Sequence, residues 1–336
     1  MKIAQRFLLS IRYAHSSNKT ENIGFIGIGN MGYPMAQNIL KHDKLNKYNL
    51  VLSDNSQDVM KQIKKDFDKN RCDVVDTPCQ VAEKALQIIT MLPDGDCVEE
   101  AYLGSNGLIK NLTKNHLCID SSTISPSTAL KISKILKKEK QASFIDAPVS
   151  GGVPGAVNAT LTFMAGGSDA DVKRASAIIT PFMGKKLFHC GKEVGSGLSA
   201  KLCNNMLLAI CMIGTSEALN LGRTLGLDPK VLTDIINEST GKNWCSSSYN
   251  PVPGMLSGEY ANIPPNLDYA KGFRVSLMCK DLTLGQNIAN NKSVYCPLGS
   301  VAHQIYKYLN ANPDASQKDF AYVYPFISGK LLGRKH

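Results

Sequence analysis

The chain has 336 residues, enough for two domains with cores of their own. Hydrophobic residues make up 43% and charged residues 20%, a balance that excludes a disordered chain. The net charge of +10 sits mostly at the ends. Lys2, Arg6, Arg12 and Lys19 lie in residues 1–20 without an acid, and Lys330, Arg334 and Lys335 lie in residues 330–336, which leaves +3 for residues 21–329. A nucleic-acid surface needs a basic patch on a folded domain, so none is expected.

The ten cysteines include no CxxC pair and no cysteine–histidine ladder at zinc spacing. No metal site and no disulfide framework is expected, and a reducing compartment fits. Cys203, Cys211 and Cys279 stand in apolar runs and read as small buried thiols. The opening MKIAQRFLLSIRYAHSSNKT is basic and acid-free, and Phe7, Leu8 and Ile11 can share a helical face. That composition predicts an organelle presequence over residues 1–20 and import into the mitochondrial matrix. No other run is expected to span a membrane.

From Asn22 the chain alternates between β-rich and helical segments. IGFIGIG reads as a buried strand entering a glycine turn, and MGYPMAQNILKH as the helix that follows. Gly27, Ile28, Gly29, Asn30, Met31 and Gly32 spell GxGxxG in the strand–turn–helix setting that gives the motif meaning. Gly27 permits the tight turn, Gly29 lets a pyrophosphate approach the backbone, and Gly32 lets helix and strand pack closely. The helix N-terminus then favours the phosphate charge.

A second strand, YNLVLSD, ends at Asp54, 22 residues beyond Gly32. There a carboxylate can accept hydrogen bonds from the adenosine ribose diol. It would repel a 2′-phosphate, and Asn55 and Ser56 offer no arginine to offset this, so NAD is expected rather than NADP. A short strand is expected around Asp73–Val75, and another in ALQIITMLP, which places Leu92 and Pro93 at a strand's carboxyl end, where ligands of such sheets bind. Strand 116–120 leads into Ser121, Ser122 and Thr123, and a helix follows from about Pro126. Three loop hydroxyls in succession are either helix caps or ligand contacts. FIDAPVS reads as a strand, GGVPGA as a flexible ligand-facing loop, LTFMAGG as a further strand and LFHCG as the last short one. Gly151 and Gly152 remove side chains where a substrate could reach backbone N–H groups.

Residues 195–227 carry the longest helical pattern in the chain. Lys201, Asn204 and Asn205 fall at spacings of three and four, so they can share a face. They form either a solvent-facing stripe or the polar floor of a cleft. Beyond this helix the pattern is almost wholly helical, over 228–240, 273–292, 301–311 and 318–327. The expected organisation is a dinucleotide-binding domain over 21–190, an interdomain helix over 195–227 within an all-helical domain over 191–329, and a basic tail over 330–336. The fold class is an α/β Rossmann-type domain, a long interdomain helix and an all-α domain. The helical part is expected to join copies of the chain into a homodimer or homotetramer.

IGFIGIGNMGYPMAQNI, ITMLPDG, IDSSTISP, DAPVSGGVPGA, GSGLSAKLCNNMLLAI, YNPVPGM and the Lys280-Asp281 helix, in this order, make the chain resemble the β-hydroxyacid dehydrogenase family over about residues 22–328. The resemblance implies an NAD-dependent oxidoreductase acting on a small hydroxyacid. It points to the branch that oxidises 3-hydroxyisobutyrate to methylmalonate semialdehyde in valine breakdown; glyoxylate or tartronate semialdehyde reductases are the nearest alternatives. It implies that Lys201 is catalytic and Asn205 orients substrate, with Asn204 beside it. Ser122 and the Gly151-Gly152 backbone would hold the substrate carboxylate. Leu92, Pro93 and Thr123 would line the cofactor, and Lys280 would approach the nicotinamide. Cys97 replaces a common asparagine near the cofactor, and Pro154 is a departure within the glycine loop.

A neutral Lys201 near pH 8 requires about 3 kcal/mol of destabilisation of its ammonium form, from desolvation or a neighbouring cation such as Lys280. Alternatively a charged Lys201 donates a hydrogen bond to the developing alkoxide. The retained Lys201, Asn204 and Asn205 argue against a non-catalytic NAD-binding protein, which would need none of them. His116, His189 and His303 sit in or beside apolar patterns and read as structural.

Overall fold

The computed structural model describes residues 20–258, 261–270 and 272–329. The expected presequence and basic tail lie outside the described residues, apart from residue 20. The chain divides into two compact units. The first runs to Ser122 and resumes over Ser127–Gly195, whereas the second takes Thr123–Pro126 and everything from Ser196 onward.

In the first unit the β-rich segments become one sheet. Strands β1 (Glu21–Ile26), β2 (Tyr48–Ser53), β3 (Cys72–Val74), β4 (Gln87–Thr90), β5 (Leu117–Asp120) and β6 (Ser143–Asp146) run parallel in the order β3-β2-β1-β4-β5-β6. This is the doubly wound order of a dinucleotide-binding fold, with its switch point between β1 and β4. The segments are short and apolar because parallel strands are covered on both faces. Ile23, Phe25, Leu50, Leu52, Ile89, Leu117, Ile119 and Ile145 are all fully buried.

The crossovers are α1 (Gly32–His42), α2 (Gln57–Asp66), α3 (Pro78–Lys84), α4 (Gly95–Leu103) and α5 (Pro126–Lys140). Their starts follow from local chemistry. Ser56 accepts from Val59 N, Asp94 accepts from Cys97 N, and Thr77 with Gln80 forms a capping box.

Beyond β6 the expected single strand FIDAPVS is broken. Residues 147–148 interrupt it, and β7 (Val149–Ser150) pairs antiparallel with β8 (Leu161–Gly166). Pro148 has no N–H to give a ladder, which suits an interruption there. The segment expected as a flexible loop, GGVPGA, is instead the short helix α6 (Gly152–Val157). Gly151 and Gly152 take φ of +132° and +59° to enter it, and Pro154 is tolerated in a first turn, where no N–H is needed. Helix α7 (Asp169–Phe182) follows, and β9 (Gly184–Gly191) pairs with β8 from three residues earlier than the expected LFHCG.

The second unit is helical. Its spine is α8 (Ser196–Thr224), 29 residues and therefore ~44 Å long. It ends in a Schellman turn: Leu227 N donates to Gly222 O and Gly226 N to Arg223 O, with Gly226 at φ +82°. Asp228 then caps α9 (Pro229–Glu238). After the turn-rich connection come α10 (Val275–Asn291) and α11 (Pro297–Asn310), and shorter turns close the unit. Ala209, Met212 and Ile213 of α8 share a core with Met278, Leu282, Tyr306 and Phe320. By length and apolar composition α8 does qualify as a membrane span, which corrects the expectation that no segment would. Yet Ala209, Met212 and Ile213 pack into the core of its own unit, and Lys201 and Asn205 are among its buried residues.

Candidate active site

The glycine turn after β1 is built by close approach. Gly27 adopts φ +90°, and a Cβ there would lie 2.3 Å from Met91 O. A Cβ on Gly32 would lie 1.9 Å from Gly27 O, so α1 can reach the turn only with hydrogen at that position. Gly29 is different: apart from its own residue and its chain neighbours, nothing in the protein stands within 4 Å of its would-be Cβ, and Gly29 and Asn30 are exposed. Open backbone at the start of α1 is what a pyrophosphate needs. The turn therefore fits a dinucleotide.

Asp54 stands at the end of β2, as expected. Its Oδ2 accepts from Ile28 N at 2.7 Å and its Oδ1 from Ser56 N at 2.8 Å. The carboxylate thus fixes the glycine turn as well as offering acceptors for a ribose diol. The carboxyl ends of β4 and β5 are tied together. Leu92 N donates to Ser122 Oγ at 2.8 Å, and Thr90 Oγ1 donates to Asp120 Oδ1 at 2.8 Å. Burial pushes the Asp120 carboxyl up to about 6.

Ser122 is fully buried and its hydroxyl already accepts the Leu92 amide. Accepting that amide holds Leu92-Pro93 in place, and it uses one of the hydroxyl's acceptor sites. Pro93 is exposed, Leu92 and Cys97 are half-buried, and Cys97 N caps onto Asp94 Oδ1. Gly151 and Gly152 are exposed at the start of α6.

In the second unit Lys201 and Asn205, one turn apart on α8, are both buried. Asn205 Nδ2 donates to Asp281 Oδ2 of α10 at 2.7 Å. Asn204 does not join them: it is exposed and donates to Asn205 Oδ1 at 3.3 Å. A spacing of three carries it round the helix edge, whereas a spacing of four keeps Asn205 over Lys201. Lys280 Nζ donates to Thr123 O at 2.6 Å and lies 3.5 Å from Asp281 Oδ1.

Burial pushes the Lys201 ammonium down to about 8; the Asp281 carboxylate opposes this, and Lys280 adds a smaller push downward. Desolvation, rather than the neighbouring cation, is therefore the main cause. The sequence reading does not place Asp281 in the site. Its signal is present as an acid next to Met278, Cys279 and Leu282, on a face that is otherwise apolar and buried.

His116, His189 and His303 each have a ring nitrogen engaged within the fold. His116 Nδ1 accepts from Thr113 N and Nε2 donates to Ala82 O; His189 Nε2 donates to Gly167 O, and His303 Nε2 to Thr283 Oγ1. All ten cysteines are free, and Cys203 is exposed rather than buried because its position on α8 points away from the core. Among the described residues no three His, Cys, Asp or Glu side chains group in a way that could hold a metal ion.

Residues 22–191 match the family model of the NAD binding domain of 6-phosphogluconate dehydrogenase, and residues 195–327 match that described as NAD-binding of NADP-dependent 3-hydroxyisobutyrate dehydrogenase. The mitochondrial 3-hydroxyisobutyrate dehydrogenases of rat (Rattus norvegicus) and human are each 47% identical over 305 residues, covering 91% of this chain and 86% of theirs. The chain belongs to the 3-hydroxyisobutyrate dehydrogenase family. A solved structure of the Mycobacterium tuberculosis 3-hydroxyisobutyrate dehydrogenase with L-serine is similar at a TM-score of 0.81 and 34% identity, over 92% of this chain and 99% of that one. The family's two-part organisation, a Rossmann-type domain followed by a long helix and an all-α domain, is the one seen in this chain.

Proposed function

We propose that the chain is the mitochondrial NAD-dependent 3-hydroxyisobutyrate dehydrogenase of valine breakdown, with Lys201 as its proton-transfer group. The observation that carries this is a buried lysine with a lowered pKa on α8, in a chain 47% identical to mitochondrial enzymes of that name. NAD, when bound, supplies the hydride acceptor. The protein's own residues do the rest. The Gly27–Gly32 turn and Asp54 bind the dinucleotide, with Leu92, Pro93, Cys97, Thr123 and Lys280 lining it. The Gly151-Gly152 backbone receives the substrate carboxylate, while Ser122 sets the Leu92-Pro93 segment. Asn205, itself oriented by Asp281, positions the hydroxyl.

Lys201 takes the hydroxyl proton as the carbon–hydrogen bond gives up its hydride, so the alcohol carbon becomes an aldehyde and Lys201 an ammonium. With a pKa of about 8, a large fraction of Lys201 is neutral at mildly alkaline pH and can act as a base. In the reverse direction the ammonium returns the proton. Matching of a catalytic pKa to working pH is what makes such a group efficient.

The test is NADH formation by the purified enzyme over a panel of 3-hydroxyisobutyrate, L-serine, glycerate and related hydroxyacids, with glyoxylate and tartronate semialdehyde supplied for reduction. 3-Hydroxyisobutyrate with NAD is expected to give the highest kcat/KM, and NADP to be poorer by at least about tenfold, since Asp54 opposes a 2′-phosphate. Asp54→Ala should shrink that preference. A higher kcat/KM for glyoxylate, or for NADP, overturns the corresponding assignment.

The helical unit also supports self-association. Leu221 on α8, Leu225 and Leu227 in the turn after it, and Val231 and Ile235 on α9 are all at least half exposed, and clustered exposed apolar side chains are what mark association surfaces. A second copy of the chain is the proposed occupant, giving a dimer or tetramer. Light scattering should show a multiple of the monomer mass, reduced by Val231→Glu with Ile235→Lys; a monomeric wild type overturns this.

A further inference from the structure

Asn38 lies on the buried side of α1, six residues past Gly32, and is 3% exposed. Asparagine is a mediocre helix former, and a buried amide without partners costs about 1–3 kcal/mol. Its side chain is satisfied in an informative place. Asn38 Nδ2 donates to Ala156 O at 2.6 Å and to Val157 O at 3.3 Å. These are the last two carbonyls of α6, where a helix end leaves acceptors to be satisfied from outside the helix; Ala156 O also accepts from Ala159 N at 3.4 Å. A side chain on the helix that follows the dinucleotide fingerprint thus closes the helix that begins at Gly151-Gly152.

We infer that Asn38 is a positioning residue for the substrate turn, holding α6 against α1 so that the Gly151 and Gly152 backbone keeps one geometry. A helix of six residues has too few internal bonds to be stable by itself. Two glycines at its entry add conformational freedom that substrate binding would otherwise have to remove. Core burial of Gly155 and Ala156 sets where α6 lies. The directional bonds from Asn38 set its rotation and the position of its end. Because Asn38 belongs to α1, the dinucleotide turn and the carboxylate turn become parts of one rigid element. The inference rests on the proposed role of Gly151 and Gly152.

Two variants test it. Asn38→Asp keeps the shape but sets a carboxylate oxygen against two carbonyl oxygens. Asn38→Ala removes the donor without adding charge. At pH 8 both are expected to raise the KM for 3-hydroxyisobutyrate by about tenfold, the scale of two neutral hydrogen bonds, with the Kd for NAD and kcat within about twofold of wild type. As the pH is lowered the carboxylate of Asn38→Asp becomes protonated and can donate to Ala156 O, so its KM should return toward that of wild type at the same pH. Asn38→Ala should show no such recovery.

Hydrogen exchange over residues 151–160, measured without substrate, should be faster in both variants. That readout separates the two proposals: an inactive wild type overturns the assigned reaction, while exchange still decides the tether. Unchanged exchange, an unchanged KM, or equal losses of NAD and substrate affinity in a folded variant overturns the positioning role. If Asn38→Asp fails to fold, Asn38→Ala decides, and failure of both to fold overturns the role in favour of a core contribution alone.

Discussion

Lys201→Ala is expected to lower kcat for 3-hydroxyisobutyrate oxidation by roughly 10²–10⁴-fold, the usual worth of a positioned acid–base group. NAD affinity should survive, because the glycine turn and Asp54 belong to the other unit. Lys201→Arg should not restore activity, since a guanidinium keeps its proton across the accessible pH range. The wild-type profile carries the second half of the argument. The neutral amine is the active form for oxidation, so kcat should rise about tenfold per pH unit below about 8 and level above it. Reduction uses the ammonium and should fall above the same pH. Asp281 raises the Lys201 pKa, so Asp281→Asn should shift the oxidative limb toward lower pH, whereas removing a like-charged neighbour would shift it upward. A near-normal kcat in Lys201→Ala, or a flat profile between pH 6 and 9 in the wild type, would falsify the base assignment.

Gly32→Ala should produce the other large effect, through sterics alone. Its new Cβ would fall 1.9 Å from Gly27 O and 3.1 Å from the Phe25 ring, so α1 must move off the β1 turn. Backbone shifts of this kind cost about 1–3 kcal/mol or more, and the displaced helix N-terminus no longer aligns with a pyrophosphate. A loss of NAD affinity of about 100-fold or more, with a lower Tm, is expected by calorimetry and thermal melting. Gly29→Ala is the control that separates packing from binding. Apart from its own residue and its chain neighbours, no protein atom lies within 4 Å of its Cβ, so the Tm should stay within a degree or two of wild type while NAD affinity still drops. Full NAD affinity in folded Gly29→Ala would remove the turn from the dinucleotide site, and a wild-type melt of Gly32→Ala would show that α1 can shift without cost.

The elements that are legible in the sequence share a property. Their signal lies within one short window. IGFIGIGNMG contains the strand, the turn and the helix start together, and YNLVLSD delivers a carboxylate at a strand end. The apolar periodicity of residues 195–227 is long enough to need no partner to be read as a helix. The departures come where a neighbour outvotes the window. GGVPGA has loop composition, yet it is helical because Gly155 and Ala156 are buried and Asn38 closes its last turn. FIDAPVS reads as one strand but is split, its second piece turning to pair with β8.

Site chemistry divides the same way. By itself the sequence determined a Rossmann-type domain followed by a helical one, a glycine turn with an acid at the end of the next strand, and a lysine–asparagine pair one helical turn apart. These rest on spacing, and spacing along a helix or strand is a local quantity. Only the tertiary structure decided that Lys201 is buried enough to lose its proton near pH 8 and that Asp281, 76 residues away, holds Asn205. It also decided that Asn204 faces solvent and that the Ser122 hydroxyl is engaged by Leu92. Burial and partner choice depend on which residues other segments bring alongside, and no window of sequence contains that information.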